Sequence, residues 1–454
     1  MRQKLTYSLV LCALVAFGGC ASLDPNAPAT VNTGSVSFAR YLALGNSTTA
    51  GMQSSGLVER FQRKSYPALI ARAAQAPVFE MPLISEPGIP PVLVFTALVP
   101  SPVIEPLPGL GTPTNSTYTA IYNNLGIPGA TLHELLVNRP VAGANPFYEI
   151  VLRDSIFGPT ALDQAVNFQP TFATVWMGLN DIFRSASVGT DALLTPADEF
   201  ETDFRTAIDA LNAASAAMVV GNIPSIVTVP FFTTIPPFLV DPVTRLPILD
   251  PQNNLIPLIG VVQGVPGPLP FTALVTLAAS ESLAVGVGIP APFGTGRPLP
   301  DAFVLDPVET GSIEMRLRSF NTTIDTVCTN RSIPVADIFA LYSDVKANGV
   351  TFAGQDYTAD YVTGGLFSVN GFHPSSAGYY LVAREFIKVT NAGFGASIPD
   401  PPFPAGPTLS RIPPSDLVRF SPLQYALDLA PGALDGLWFS LGVDPHKTVQ
   451  DSKR

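Results

Sequence analysis

Four short polar stretches interrupt an otherwise apolar chain. They are Gly45-Asn46-Ser47-Thr48-Thr49-Ala50-Gly51, Asn124-Leu125-Gly126-Ile127-Pro128-Gly129-Ala130-Thr131, Gly178-Leu179-Asn180-Asp181 and Asn370-Gly371-Phe372-His373-Pro374-Ser375. A serine hydroxyl is a poor nucleophile until a base takes its proton, and histidine is suited to that task near neutral pH. Ser47 and His373 could form such a pair. Taken alone, Ser47 is a turn or cap serine and His373 a capping or surface histidine. Gly129 alone is a turn glycine, and Asn180 alone a loop-capping side chain. The chain has 3 His; His133 falls within a helical stretch and His446 in a polar tail, so a histidine base at this site is His373.

Positioning these stretches requires elements that end or begin at them. Strand-like runs lie at Phe38–Leu44, Tyr118–Asn123, Phe172–Met177, Ala217–Asn222 and Pro334–Ile338. Helix-like runs lie between them, at Ala68–Ala74 (Ser65 as cap, Pro67 in the first turn), Thr131–Val137, Thr195–Ala214, Ser312–Thr329 and Ser375–Thr390. Such alternation predicts βαβ units and a mainly parallel sheet, with ligands beyond the carboxyl ends of the strands. Two Pro-rich insertions, about 82–113 and 224–307, break the spacing, and loops of that length are commonly lids or binding loops. Phe231-Phe232, Phe238 and Leu255–Ile259 supply apolar side chains suited either to an acyl chain or to packing over the sheet edge. The segment 399–454, Pro-rich and then apolar, is expected to pack on the domain.

Composition narrows the class. With 24 Lys+Arg against 35 Asp+Glu and a net charge of −11, the chain lacks the basic face that nucleic acid requires. Its 47% apolar residues can fill a sizeable core. The 47 Pro imply long irregular loops without collagen-like periodicity. Three Cys form no zinc-binding pair and no disulfide framework. No cofactor or metal is called for. Cys328, in a helical stretch, reads as a small core residue.

The order, spacing and placement of the four stretches resemble the SGNH/GDSL hydrolase family, over about residues 38–394. The resemblance implies a three-layer α/β/α sandwich with a five-stranded, mainly parallel sheet, in a domain spanning 38–398. It implies a serine-dependent carboxylic ester hydrolase of esterase or lipase type, acting through an acyl-enzyme on Ser47, with His373 as base and then acid. The oxyanion donors implied are the Ser47 and Gly129 backbone N–H groups and the Asn180 side-chain amide. Deacetylation of sugars is a rival activity within the same class.

Two positions depart from the family. Asn46 and Asn370 stand where the family has Asp. Asn46 is expected to keep a structural hydrogen-bonding role. Asn370 occupies the place of the triad acid, and an amide cannot stabilise an imidazolium with charge. A Ser-His dyad aided by the neutral Asn, substitution by a carboxylate such as Asp356 or Asp360, and a degenerate site in a surface lipoprotein that binds a ligand or partner are the three readings. Asn370-Gly371 is also a deamidation-prone pair whose conversion to Asp would restore the triad.

The first residues are an address. Arg2 and Lys4, the apolar run Tyr7–Phe17 and Gly18-Gly19-Cys20 form a secretory signal, shorter than the roughly 20 residues needed to span a bilayer. Its end resembles the bacterial lipoprotein lipobox. That implies a signal peptide at 1–19, lipidation of Cys20, a tether at 20–37 and attachment to the cell envelope, with Ala21 favouring the outer membrane. The partners expected are a small-molecule or lipid ester and the membrane that holds the anchor.

Overall fold

A computed structural model describes residues 31–97, 103–141, 144–153, 155–214, 216–241, 244, 246–403 and 422–445. The expected signal segment, Cys20 and His446 lie outside these. Five strands build the central sheet: β1 (Tyr41–Asn46), β2 (Asn124–Ile127), β3 (Phe172–Trp176), β4 (Ala217–Gly221) and β5 (Val335–Ala336), in the order β5-β4-β3-β1-β2. Every neighbouring pair is parallel. Strands covered on both faces are expected to be apolar throughout, and β1, β2 and β3 are buried at every residue. The chain moves from β1 to β2 on one side and then to β3 on the other, so the strand order reverses beside β1. That is where a doubly wound sheet opens a crevice.

The helices used below are α1 (Ser47–Ala50), α2 (Tyr66–Ala73), α3 (Leu132–Val137), α4 (Leu179–Ser187), α5 (Ala197–Ala213), α6 (Pro307–Thr329), α7 (Ser376–Phe394) and α8 (Asp435–Leu441). Tyr66 of α2 stacks on Phe386 of α7 at 5.0 Å, and both rings meet Trp176 of β3. In the second helix group, Phe200 of α5 stacks on Phe320 of α6 at 3.9 Å. Such aromatic pairs add about 0.5–1.5 kcal/mol each beyond the area they bury. Cys328 is a buried residue of α6, its thiol pushed up to about 12 by desolvation.

Most expected elements form, with shifted ends. The clear correction is the second strand, which runs over Asn124–Ile127 rather than Tyr118–Asn123. Asn124 is a poor strand former by type, but here its amide donates to the Thr49 carbonyl at 2.8 Å and accepts from the Gly126 N–H at 2.9 Å. Tertiary partners therefore override its preference for turns. The fifth strand shrinks to Val335–Ala336 because Asp337 caps a helix over Ile338–Asn348, its carboxylate accepting from the Ala340 N–H. Ser65 does precede α2, but its hydroxyl makes no cap bond.

Both Pro-rich insertions are structured. In the first, Leu93–Ala97 pairs antiparallel with Val103–Pro106, and the second contains a hairpin of Ile259–Val262 with Val265–Pro268. Phe231 and Phe232, candidate rim residues, are fully buried. Residues 422–445 pack onto both insertions, Tyr425 against Phe95 and Trp438 against Phe231. No helix among the described residues is long and apolar enough to cross a membrane.

Candidate active site

Ser47 is the first residue after β1. Asn46 caps α1, its side-chain oxygen accepting from the Thr48 N–H at 3.1 Å, while its amide nitrogen is buried with no partner. This sharp strand-to-helix turn aims the Ser47 hydroxyl beyond the end of β1. His373 arrives 326 residues later, just before α7. The helix start is fixed by Ser375, whose hydroxyl accepts from the N–H groups of Ala377 and Gly378. The imidazole Nε2 lies 3.0 Å from Ser47 Oγ. That is within the range expected of a nucleophile and its base.

Nδ1 of the same ring faces the Asn370 amide nitrogen at 2.9 Å. The Asn370 side-chain oxygen accepts from the N–H groups of Phe372 at 3.0 Å and His373 at 3.1 Å, and the Ser368 hydroxyl lies 3.0 Å away. Ser47, His373 and Asn370 are all buried. Burial without a carboxylate partner lowers the His373 pKa to about 3. Asp356 and Asp360 do not replace the missing acid. They are exposed, and their carboxylates accept from the hydroxyls of Thr351 and Thr358. Deamidation of the folded chain is also opposed, because the Gly371 nitrogen that would attack Asn370 donates to the Ser368 carbonyl at 2.8 Å.

The other two stretches are tied to one another. Asn180 stands in the first turn of α4, after Gly178 in the left-handed conformation, and its amide donates to the Ala130 carbonyl at 2.8 Å. Asp181 accepts from the Leu132 N–H and from the Thr195 hydroxyl, both at 2.8 Å. Desolvation raises the Asp181 pKa to about 6, against the lowering effect of those donors. Arg184 pairs with Glu134 and donates to the Gly129 carbonyl at 2.5 Å. Gly129 has φ +78°, and a Cβ there would sit 2.2 Å from the Ser440 carbonyl oxygen of α8. Only glycine combines that conformation with so close an approach.

The structure thus brings together Ser47, His373 and Asn370, and links Asn180 to the loop that carries Gly129. His133 is elsewhere: it bonds Asp203 at 2.9 Å on the exposed face of α3 and α5. With Glu199 these two form a group of possible metal ligands among the described residues, outside the Ser47 site. Sequence reasoning overlooked Ser368, Arg184 and Phe183. Ser368 could have been found from its place two residues before Asn370, the spacing at which a hydroxyl reaches a neighbouring side chain in a turn.

Beside His373 is a cavity of about 30 Å³, lined in part by Thr48, Trp176, Leu179, Phe183 and Phe372. Phe372 and Phe183 meet edge to face at 5.5 Å, and Phe231 backs Phe372 at 5.6 Å.

No curated protein matches the sequence. Among solved structures, an acetylxylan esterase from Geobacillus stearothermophilus is similar over 77% of this chain and 93% of its own, at 13% identity and a TM-score of 0.32. An α/β-hydrolase enzyme from the metagenome of Lake Arreo, Spain, is similar over 77% of this chain and 94% of its own, at 11% identity and a TM-score of 0.34. Residues 41–386 match the family described as GDSL-like lipase/acylhydrolase. This stretch holds all four polar stations and most of the chain, and the protein belongs to the GDSL-like lipase/acylhydrolase family.

Proposed function

We propose that the protein is a serine-dependent carboxylic ester hydrolase that works through an acyl-enzyme on Ser47, held at the cell envelope by a lipid on Cys20. The observation that carries the catalytic reading is the 3.0 Å contact between Ser47 Oγ and His373 Nε2 at the carboxyl end of β1. The anchor rests on the sequence of the first twenty residues.

Ser47 Oγ attacks the ester carbonyl carbon while His373 Nε2 takes its proton. The carbonyl oxygen becomes an oxyanion, stabilised by the N–H groups of Ser47 and Gly129 and by the Asn180 amide. One such donor contributes about 3–4 kcal/mol to lowering the barrier. As the intermediate collapses, the bond to the alcohol oxygen breaks and His373 returns the proton to it. Water then attacks the acyl-Ser47 ester with His373 taking its proton; the bond from the acyl carbon to Ser47 Oγ breaks, His373 returns the proton to Oγ, and the carboxylic acid leaves. Every proton is accounted for by one imidazole, and no cofactor is required.

The walls beside His373 favour a short acyl group. A cavity of about 30 Å³ between Phe183, Phe372 and Trp176 has room for little more than the methyl of an acetyl group. A series of p-nitrophenyl esters from acetyl to octanoyl tests this on the protein lacking residues 1–20, with Ser47→Ala beside it. Turnover that falls with chain length and vanishes in Ser47→Ala is expected.

A second reading is favoured by one observation, the amide in the place of the triad acid. In it the site binds a ligand without cutting it. Turnover equal to that of Ser47→Ala, with ligand binding retained, would establish that reading.

A further inference from the structure

We infer that Asn370 holds His373 in the tautomer that carries its proton on Nε2, so that at rest Ser47 accepts a hydrogen bond from the ring instead of donating one. The inference deepens the acyl-transfer reading of this site and rests on it for its catalytic consequence.

The argument begins with which end of the Asn370 amide is oxygen. Two backbone donors, the N–H groups of Phe372 and His373, point at one of its atoms from 3.0 and 3.1 Å. That atom must be the acceptor, Oδ1. The Ser368 hydroxyl, shared with the His373 carbonyl at the same 3.0 Å, can add a third donor. Nδ2, bearing two hydrogens, is therefore the atom 2.9 Å from His373 Nδ1. An amide N–H can only donate, so Nδ1 must present its lone pair. A neutral imidazole has one ring proton, and with Nδ1 bare it sits on Nε2. Nε2–H then points at Ser47 Oγ, 3.0 Å away.

General-base catalysis needs the reverse, Nε2 bare and Nδ1–H. With Asn370 as it stands, that tautomer sets the Nδ1–H against an N–H donor. Turning the amide over relieves this contact but sets its NH2 group against both backbone N–H groups. Neither orientation accepts the productive tautomer without a buried donor facing a donor.

A carboxylate of the same shape has no such conflict. One oxygen would accept from the Phe372 and His373 N–H groups, and the other from Nδ1–H. The turn is thus a carboxylate cradle occupied by an amide, and Gly371 preserves it. Gly371 has φ +66°, and a Cβ there would meet Leu277 Cδ1 at 2.6 Å. Asn370 acts here as a positioning residue, through the proton on His373.

The test reads the proton directly. Full-length protein labelled with 15N in its histidines is observed at neutral pH, with His133→Gln and His446→Gln variants isolating the His373 signals. The inference expects the bare nitrogen of His373 to be Nδ1 in the wild type and Nε2 in Asn370→Asp. It also expects Asn370→Asp to raise kcat for a short ester by a factor on the order of 10²–10⁴, the reverse of the loss seen when a triad Asp becomes Asn. A wild-type spectrum with the proton on Nδ1 overturns the inference, and it does so even if Asn370→Asp fails to fold. If the tautomers are as expected but neither protein turns over ester nor takes a serine-directed phosphonate on Ser47, the tautomer assignment stands and the hydrolase reading falls.

Discussion

Asn370→Asp should move the acid limb of the pH–rate profile upward, in the direction opposite to a simple gain in activity at all pH values. In the wild type, desolvation by burial, with no carboxylate beside the ring, holds the His373 pKa at about 3. The ring is therefore neutral throughout the range in which the protein can be assayed, with its proton held on Nε2 by the Asn370 amide. A carboxylate at 370 would place a negative charge with its nearest oxygen at the present 2.9 Å from Nδ1 and its charge centre about 4 Å from the ring charge. At an effective dielectric near 20 that attraction is about 4 kcal/mol. At 1.36 kcal/mol per pKa unit it raises the imidazole by roughly three units, to about 6. The assay is kcat/KM for a p-nitrophenyl ester between pH 4 and 9, with Ser47→Ala as the blank. The wild type should show a low, flat acid side down to the pH at which it unfolds. Asn370→Asp should show a higher plateau that falls below about pH 6. A wild-type limb already near 6 and unchanged in Asn370→Asp would refute the reasoning, because it would mean that His373 is not the titrating base or already has a carboxylate partner.

Three further outcomes follow from the same contacts. Gly129→Ala forces a left-handed φ on a residue with a Cβ, about 1–3 kcal/mol of strain, and drives that Cβ into the Ser440 carbonyl. Chemical denaturation should show at least that loss, with ester turnover reduced further than Ser440→Ala reduces it. Phe183→Ala removes a wall of the cavity beside His373 at about 3–5 kcal/mol of stability; the ester series should shift toward longer acyl groups, and an unchanged profile would place the acyl group elsewhere. His373, protonated near 6.5 when unfolded and near 3 when folded, contributes stability that is complete above about pH 6.5 and is lost as pH falls from there toward 3. Asp181, raised to about 6, has the opposite slope between its unfolded value and 6. The His373 contribution is therefore isolated as the difference between wild type and His373→Gln in denaturant titrations at pH 7 and pH 5, where the wild type should lose more stability on acidification.

The parts of this account that were legible in the sequence are those carried by local signals. Small-residue turns after apolar runs locate Ser47 and Asn180, and Ser375 ahead of an apolar helical run locates His373. Asn124 misled because its strand conformation depends on the Thr49 carbonyl, a partner 75 residues away in the chain. Phe231 and Phe232 could be read as a rim or as core. Only the fold shows that Phe231 is buried beneath the Phe372 ring, with its N–H donating to the Gly371 carbonyl at 2.8 Å. The close seat of α8 on Gly129 was equally invisible, since nothing local in Leu437–Leu441 announces what its carbonyls meet. Asn370 is the instructive case. Its departure from Asp was plain in the sequence, but its consequence required knowing that two backbone N–H groups fix the direction of the amide.

The measurement that bears most directly on the central claim is covalent labelling of Ser47. Full-length protein is treated with a serine-directed phosphonate and digested, and the peptide containing Ser47 is weighed, beside Ser47→Ala and His373→Gln and with hydrolysis of a short ester followed in parallel. The account predicts that the wild type takes one phosphonate on the Ser47 peptide and loses its esterase activity in step. Ser47→Ala should take none and His373→Gln should react far more slowly. Undiminished ester turnover in Ser47→Ala, or labelling at another residue that abolishes turnover, would contradict it.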